Sequence, residues 1–563
     1  MTRNGIWILT AALALSGLAT PARAQQVSEA RIRELIKQAA DPNSRLQAPA
    51  TAPGTTQDGR TVVPITLEDA VKFALERNLD IAVQRLNPEI NDIAYASLKS
   101  IYHPALTSTV STQSTTTPST STLSGSDSVG SGIVSGATIY NGGIAQSIPW
   151  GGGSFNVALN NNRQTTASAN VLFNPTFNTN WSGSYLQPLF RNFRIDATRR
   201  SLQVTKINRD ISDLQLRATI TNTLSNVRNA YWDYVFAVQA VEVAQKSLDL
   251  ASNLVRDNQT RVEVGTMAPI DVVQAQSEQA TRRQTLVAAQ AAQRTTELVL
   301  KRLIVAGTQD PNWSARLDPT DRPDFRADPI DIEAAVRRAL SERTDLEIAK
   351  KNIAANDVTL KYLVDQMRPQ ADLAATYGLV GLGGTQLLTS GTGVNRVVTG
   401  TVPGGYGDAL STLFGNNYPR WTLQLNMSYP LGVSAQEASV ARARVQLNQV
   451  QAQTKQIELQ VATDVTNAAL TARSAVESVQ AASAAREFAQ KKLEAEQSKF
   501  EVGMSTNYFV DQAQRDLADA QNTELRQILS YRKSLVELER LQSTTLQNLN
   551  ITVLSATGAA GGQ

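Results

Sequence analysis

Two long segments of the chain have helical hydrophobic spacing and lack helix breakers. Residues 191–264 and 433–502 contain neither Gly nor Pro. In the second segment, apolar side chains recur at intervals of three and four residues between Leu447 and Val479, which is typical of an amphipathic helix. The pattern predicts long helices over about 196–264 and 434–502, each roughly 100 Å long at 1.5 Å per residue.

Two other windows, 104–187 and 370–431, alternate between apolar and polar positions as strands do. The clearest case runs from Trp421 to Tyr429, where odd positions are apolar and even positions polar. Similar but shorter stretches occur in both windows, which predicts one strand pair in each. Such two-faced strands are typical of outer-membrane barrels, although the edge of a soluble β-sandwich shows the same pattern. The stretch from Phe155 to Leu159 also alternates but has no counterpart in the second window, and the Ser/Thr/Gly-rich tract 111–136 is expected to be a loop.

An internal duplication orders these elements. Residues 65–104 align without gaps onto 330–369 at an offset of 265, and residues 262–303 onto 500–541 at an offset of 238. Each half is therefore predicted to contain a short helix, a strand pair, a long helix, a tight turn and a second short helix. The first window is 23 residues longer than the second by these alignments.

The first repeat gives approximate bounds for its short helices. They are expected over about 65–102 and 268–305, roughly 57 Å each. Placed end to end, the two match one long helix. Pro88 lies within the first of them, so a kink is expected there, starting at Asn87.

Composition narrows the class of protein. The chain has 53 Lys and Arg against 50 Asp and Glu, a net charge of +3, and this balance argues against a nucleic-acid partner. It has 0 Cys and 1 His, which excludes thiolate chemistry and makes a catalytic triad or a His-rich metal site a poor expectation. The sequence therefore predicts no enzyme activity, no catalytic residue, no metal and no cofactor.

The order of these segments predicts a domain organisation. Residues 1–24 resemble a signal peptide, with Arg3 before an apolar run and an Ala-Arg-Ala cleavage site, so the protein is expected to be exported. The predicted domains are the signal peptide 1–24, a linker 25–63, a first repeat 64–305, a second linker 306–329, a second repeat 330–550 and a flexible tail 551–563.

Four strands per chain imply an assembly if they lie in a membrane. The smallest membrane barrels have about eight strands, and an open sheet edge is not tolerated in lipid. Such a chain must oligomerise to close its wall, and cyclic symmetry does so with identical interfaces.

These features together resemble a known family. The duplicated ITLEDAVKFALERNLDIAVQ pattern, the QPLFRN entry into a long helix and the turns VEVGTMAPIDVVQAQ and FEVGMSTNYFVDQAQ are similar to those of the TolC-like outer-membrane efflux proteins. The resemblance covers about 65–550. It implies an α+β membrane protein: a trimeric TolC-like 12-stranded β-barrel in the outer membrane, continued by a long α-helical barrel through the periplasm. The implied partners are outer-membrane lipid, a periplasmic adaptor protein and an inner-membrane transporter.

The resemblance also assigns roles to particular residues. In the family, the turns after the long helices form the periplasmic tip that the adaptor contacts, and acidic residues shortly after the turn form an anionic gate. Asp271 matches the gate pattern, whereas the equivalent residue in the second repeat is Phe509. Asp511 lies two residues further on, about 200° around the helix, so it is expected to face another direction. The alternative for both carboxylates is a solvated acid in the first turn that the helix dipole stabilises. The tip residues expected from the resemblance are Val264, Gly265, Thr266, Val502, Gly503 and Met504.

The predicted function is a passive exit duct of a tripartite efflux system. Two alternatives remain open at this level: the outlet of a type I protein secretion system, and a periplasmic coiled-coil scaffold without a pore. The strand alternation at 421–429 argues against the scaffold.

Overall fold

We describe a computed structural model of the chain. It describes residues 56–57, 60–118, 132–168, 170–322, 325–327, 329–391, 397–432 and 434–552. The expected signal peptide, most of the first linker and nearly all of the tail lie outside these residues. The chain divides into two compact units: unit 1 comprises residues up to Ile93, Arg209–Ile348 and the chain from Thr454 onward, and unit 2 comprises Ala94–Asn208 and Ala349–Gln453.

The two long helices predicted from the sequence are confirmed. Helix α3 spans Ala197–Glu263 and helix α9 spans Ala435–Glu501, and each has 67 residues. After each of them the chain makes a tight turn and enters helix α4 (Pro269–Ile304) or helix α10 (Asn507–Leu541). Both turns belong to unit 1.

The short helix expected over 65–102 is two helices instead of one. Helix α1 (Leu67–Arg77) and helix α2 (Leu79–Ser100) are separated by Asn78 alone, and Pro88 lies inside α2. Asn78 causes the break, because its side-chain oxygen accepts hydrogen bonds from the backbone N–H groups of Asp80 (2.9 Å) and Ile81 (3.2 Å) and so caps the new helix.

The second repeat has the same interruption. Helix α6 (Ile332–Glu342) and helix α7 (Thr344–Gln366) are separated by Arg343 alone. Arg343 lies 265 residues after Asn78, which is the offset of the duplication. The break is therefore a feature of the repeat.

The core of unit 1 surrounds the middle of α3 and a small three-stranded sheet. Strands β1 (Thr56–Gln57), β2 (Arg60–Ile65) and β7 (Arg316–Pro319) form the sheet, with β2 and β7 parallel. The hydroxyl of the fully buried Tyr231 on α3 donates to the Asp321 carboxylate at 2.7 Å and lies 3.1 Å from the Ile65 carbonyl. Two four-residue helices, α5 (Pro311–Ser314) and α11 (Thr545–Asn548), complete the unit. Burial raises the pKa of Tyr231, and its hydrogen bond to Asp321 raises it further.

A seven-stranded antiparallel sheet forms the body of unit 2. Six strands follow one another in the spatial order β10–β8–β6–β5–β4–β3, and β9 pairs only with β8. Their bounds are β3 Ala105–Pro118, β4 Gly132–Ser147, β5 Ser154–Thr166, β6 Phe173–Pro188, β8 Gln370–Ser390, β9 Val397–Val402 and β10 Pro419–Ser428.

The strand pair predicted for 104–187 is wrong, because this window holds four strands. The additional hairpin β4–β5 lies between β3 and β6 and pairs with both. The alternating stretch that begins at Phe155 is part of strand β5 in this hairpin. The loop expected over 111–136 is also incorrect at both ends, since β3 continues to Pro118 and β4 begins at Gly132. The strand pair predicted for 370–431 is wrong as well, because this window holds β8, β9 and β10, so the two windows together contain seven described strands in place of four.

A short helix lies against this sheet. Helix α8 (Tyr406–Phe414) packs on β8 through the buried side chains of Ala409 and Leu413. Two glycines of β8 permit this contact: a Cβ at Gly381 would lie 2.0 Å from the Ala409 carbonyl oxygen, and one at Gly383 would lie 2.5 Å from the Ala409 nitrogen.

Candidate functional site

The two turns after the long helices have the same backbone structure. In the first, Gly265 has φ +79°, its N–H donates to the Val262 carbonyl at 2.9 Å, and the Thr266 N–H donates to the Arg261 carbonyl at 2.9 Å. This pair of bonds with a left-handed glycine is a Schellman helix end.

The second turn repeats this arrangement. Gly503 also has φ +79°, its N–H donates to Phe500 at 3.2 Å, and the Met504 N–H donates to Lys499 at 2.8 Å. The duplicated Glu-Val-Gly sequence thus produces two equivalent turns.

Both turns present apolar side chains to solvent. The exposed fraction is 73% for Val264, 70% for Val502 and 80% for Met504. Ile270 and Phe509, which begin the next helices, are exposed as well. Larger exposed apolar patches often occur where a protein contacts another molecule, and the role of these turns as an adaptor-contacting tip stays a prediction.

A cluster behind the turns joins the two repeats. Leu254 of α3 packs with Leu493 and Phe500 of α9 and with Val510 of α10. The Arg261 guanidinium lies over the Phe500 ring, 4.3 Å from its centroid, a favourable cation–π distance. The two turns are therefore held side by side within one chain.

The two candidate gate carboxylates have different environments. Asp271 lies in the first turn of α4 and is partly exposed. Asp511 is 6% exposed, and its carboxylate accepts a hydrogen bond from Arg515 at 2.6 Å. Asp511 thus faces packed protein, as its 200° offset from Phe509 suggested, whereas Asp271 has access to solvent. The gate role of either residue remains a prediction.

Sequence reasoning did not find the charged contacts that connect these helices. Glu278 of α4 forms an ion pair with Arg282 on its own helix at 2.8 Å and lies 3.8 Å from Arg515 of α10. Lys492 of α9 pairs with Asp516 of α10 at 2.7 Å, and this hydrogen bond lowers the pKa of the Asp516 carboxyl. Only the i,i+4 spacing of Glu278 and Arg282 was visible in the sequence.

The sheet of unit 2 has one apolar and one polar face. Residues paired across an antiparallel ladder share a face, so the register defines continuous rows. One apolar row crosses all six strands, interrupted only by a glycine, and consists of Leu106, Ile144, Val157, Gly183, Tyr377 and Trp421.

The opposite face is rich in hydroxyl and amide groups. One of its rows consists of Thr109, Asn141, Asn160 and Asn180. The six strands contain only three charged residues, Arg163, Asp372 and Arg420. A concave space of about 370 Å³ is lined partly by this face, including Asn156, Ser184 and Thr376. The sheet therefore has the two faces that a wall between lipid and water requires.

The described part of the chain contains no group of three or more His, Cys, Asp or Glu residues that could hold a metal ion. None of its helices combines the length and the hydropathy needed to cross a membrane.

Solved structures with this fold are bacterial outer-membrane channels. The chain is similar to the CmeC outer membrane channel of Campylobacter jejuni, with a TM-score of 0.58 and 13% identity over 86% of this chain and 90% of that one. It is similar to the outer membrane protein VceC of Vibrio cholerae, with a TM-score of 0.58 and 13% identity over 84% of this chain and 95% of VceC. For the MtrE outer membrane channel of Neisseria gonorrhoeae in its open state, the TM-score is 0.57 with 15% identity over 84% of this chain and 88% of MtrE. The long helices and the two-faced sheet of this chain thus belong to a TolC-like fold.

The family itself is shown by the sequence profile described as "Outer membrane efflux protein", which matches residues 154–305 and 335–543. These segments make up nearly two thirds of the chain, and the chain belongs to this family. Its location is the outer membrane, with extension into the periplasm. No curated protein matches the chain.

Proposed function

We propose that three copies of this chain form the passive exit duct of a tripartite efflux system. Membership of the family supports the class of efflux channel. The observation that carries the proposal further is the six-strand sheet, which has an apolar row across all six strands and, among the described residues, no further strand beyond β3 or β10. A sheet of this kind has no role in a pore-less scaffold, and in lipid its edges must be paired.

Three-fold closure uses the two outer strands. In the isolated chain, β3 and β10 are exposed at every position and each has a single neighbour. All five ladders in the row are antiparallel, so β3 and β10 run in opposite directions. Pairing β10 of one copy with β3 of the next continues the antiparallel pattern. Outer-membrane efflux channels in general are trimers, which sets the number of copies.

The paired turns supply the docking end of the proposed duct. The exposed Val264, Val502 and Met504 offer apolar contacts to a periplasmic adaptor protein, which links the duct to an inner-membrane transporter. Asp271, solvent-accessible beside the first turn, is the gate carboxylate that we favour. The duct itself does no chemistry, and the transporter supplies the energy.

Native mass spectrometry of the full-length protein in detergent tests the assembly. We expect a complex of three chains that resists mild heating, because each copy would bury two sheet edges. A monomer as the dominant species would contradict the proposal. Loss of adaptor binding in variants of the turns, with the trimer intact, would support the docking role.

A further inference from the structure

The geometry points to a barrel of eighteen strands, six from each chain, in place of the twelve that the family resemblance implies. This inference rests on the proposed trimer. The additional strands are β4 and β5, which are paired along most of their length with β3 and β6. They form part of the continuous sheet between the two edge strands.

Over part of their length, β4 and β5 continue the rows of the neighbouring strands. On the apolar face they contribute Tyr140, Ile144, Phe155, Val157 and Leu159, and on the polar face Asn141, Asn156, Asn160 and Asn162. The alternation is incomplete, since Asn161 and Arg163 lie on the face of Leu159 and Ile139 lies on the polar face. A hairpin that projected into water would have no reason to keep an apolar face in register with its neighbours. The parts of β4 and β5 around Ile144 and Val157 therefore belong to the lipid-facing wall. Nearer to Gly381, helix α8 covers the same face, and the Tyr406 hydroxyl donates to the Asn161 side chain at 2.8 Å.

A wider and nearly uncharged exit follows. Barrel diameter grows roughly linearly with strand number, so eighteen strands give a diameter about 1.5-fold larger than twelve at equal tilt. The polar rows consist mainly of amides, hydroxyls and small side chains. The barrel is therefore suited to bulky solutes of either charge, and any charge selection is left to the tip.

Engineered disulfides test the strand order, and the absence of cysteine from the chain leaves no background. The pair Thr109→Cys with Asn141→Cys joins β3 to β4, and Asn160→Cys with Asn180→Cys joins β5 to β6. Both pairs are direct cross-strand partners, within the reach of a disulfide. We expect both to oxidise nearly completely in outer-membrane trimers.

The matched control is Thr109→Cys with Asn180→Cys. In the six-strand order these positions are three strand spacings apart, about 14 Å, too far for a disulfide. In a twelve-strand wall, β3 and β6 would be neighbours, and Asn180→Cys would cross-link with a cysteine at Thr107, Thr109 or Ser111. Such cross-linking, without the first two disulfides, would overturn the inference.

Electron cryomicroscopy of the wild-type trimer gives the direct count. Eighteen strands in cross-section would support the inference. Twelve strands in an intact trimeric channel would refute it and leave the proposed function standing. A protein that forms no trimer would refute the proposed function itself.

Discussion

At the scale of single residues, the two turn glycines are required by backbone conformation alone. Gly265 and Gly503 both have φ +79°, and a Cβ at either would meet no atom within 4 Å. Substitution therefore creates no clash within the chain, and its cost comes from the left-handed conformation, about 1–2 kcal/mol for an ordinary L-residue.

The prediction at this site compares two substitutions at one position. Gly503→Val should destabilise the turn and abolish coupling to the adaptor while the barrel still inserts, because β-branched residues fit the left-handed region poorly. Gly503→Asn should retain most function, since Asn tolerates that region. Efflux complementation, with hydrogen exchange across residues 498–506, measures both effects. If the Gly503→Val protein restores efflux as well as the wild type does, the assignment of this turn to the adaptor-contacting tip is wrong.

The second residue-scale prediction concerns the gate. In a trimer, three Asp271 carboxylates around one mouth would attract cations and offer the oxygen ligands that hard multivalent ions prefer. We expect cation-selective conductance in planar bilayers, with block by multivalent cations from the periplasmic side, and Asp271→Asn should weaken the block markedly.

Asp511→Asn is the control for the gate. Because the Asp511 carboxylate is buried against Arg515, its loss should lower the temperature of unfolding and leave the block nearly unchanged. If multivalent cations block the Asp271→Asn channel as strongly as the wild type, and the variant is a folded trimer, the constriction lies elsewhere.

At the scale of elements, the sequence predicts the helices much better than the strands. The long helices α3 and α9 are encoded locally, by breaker-free runs with apolar spacing, and both ends were placed to within a residue. Strand β4 has consecutive apolar residues on opposite faces, such as Ile133 and Val134, and four glycines. Its period-two pattern is therefore weak, and only pairing with β3 and β5 reveals it as a strand.

The same distinction applies to the candidate site. The turns could be predicted because a glycine just after a helix is a local signal. The contacts of Arg261 with Phe500 and of Arg515 with Glu278 connect different helices, so they depend on tertiary packing that no spacing in the sequence specifies.

Helix α8 permits a prediction about one element. Gly381→Val should displace α8 from the sheet, since the new side chain would occupy the position of the Ala409 backbone. Gly142→Val is the matched control, because Gly142 lies on the same face with no atom within 4 Å of a Cβ. A spin label at Phe414→Cys should become more mobile in the first variant only. Equal mobility in both would show that α8 is held by other contacts.

At the scale of the whole molecule, the charges are concentrated in the helices. The chain has 103 acidic and basic residues, of which the six wall strands carry three. Asp372 and Arg420 lie on the polar face and Arg163 on the apolar face, and so few charges suit a sheet between lipid and water. The net charge of +3 therefore says little about the interior of the proposed duct, which depends on the residues of the polar face.

The unbroken antiparallel order of the sheet limits how such a wall can evolve. An insertion that added one strand would return the chain to the wrong side of the membrane, and every helix after it would start there. Only hairpins can be added, two strands at a time, and three-fold symmetry multiplies each addition to six. In the proposed trimer, the number of strands around the barrel could therefore change only in steps of six, as from twelve to eighteen, and one added hairpin per chain is enough for one step.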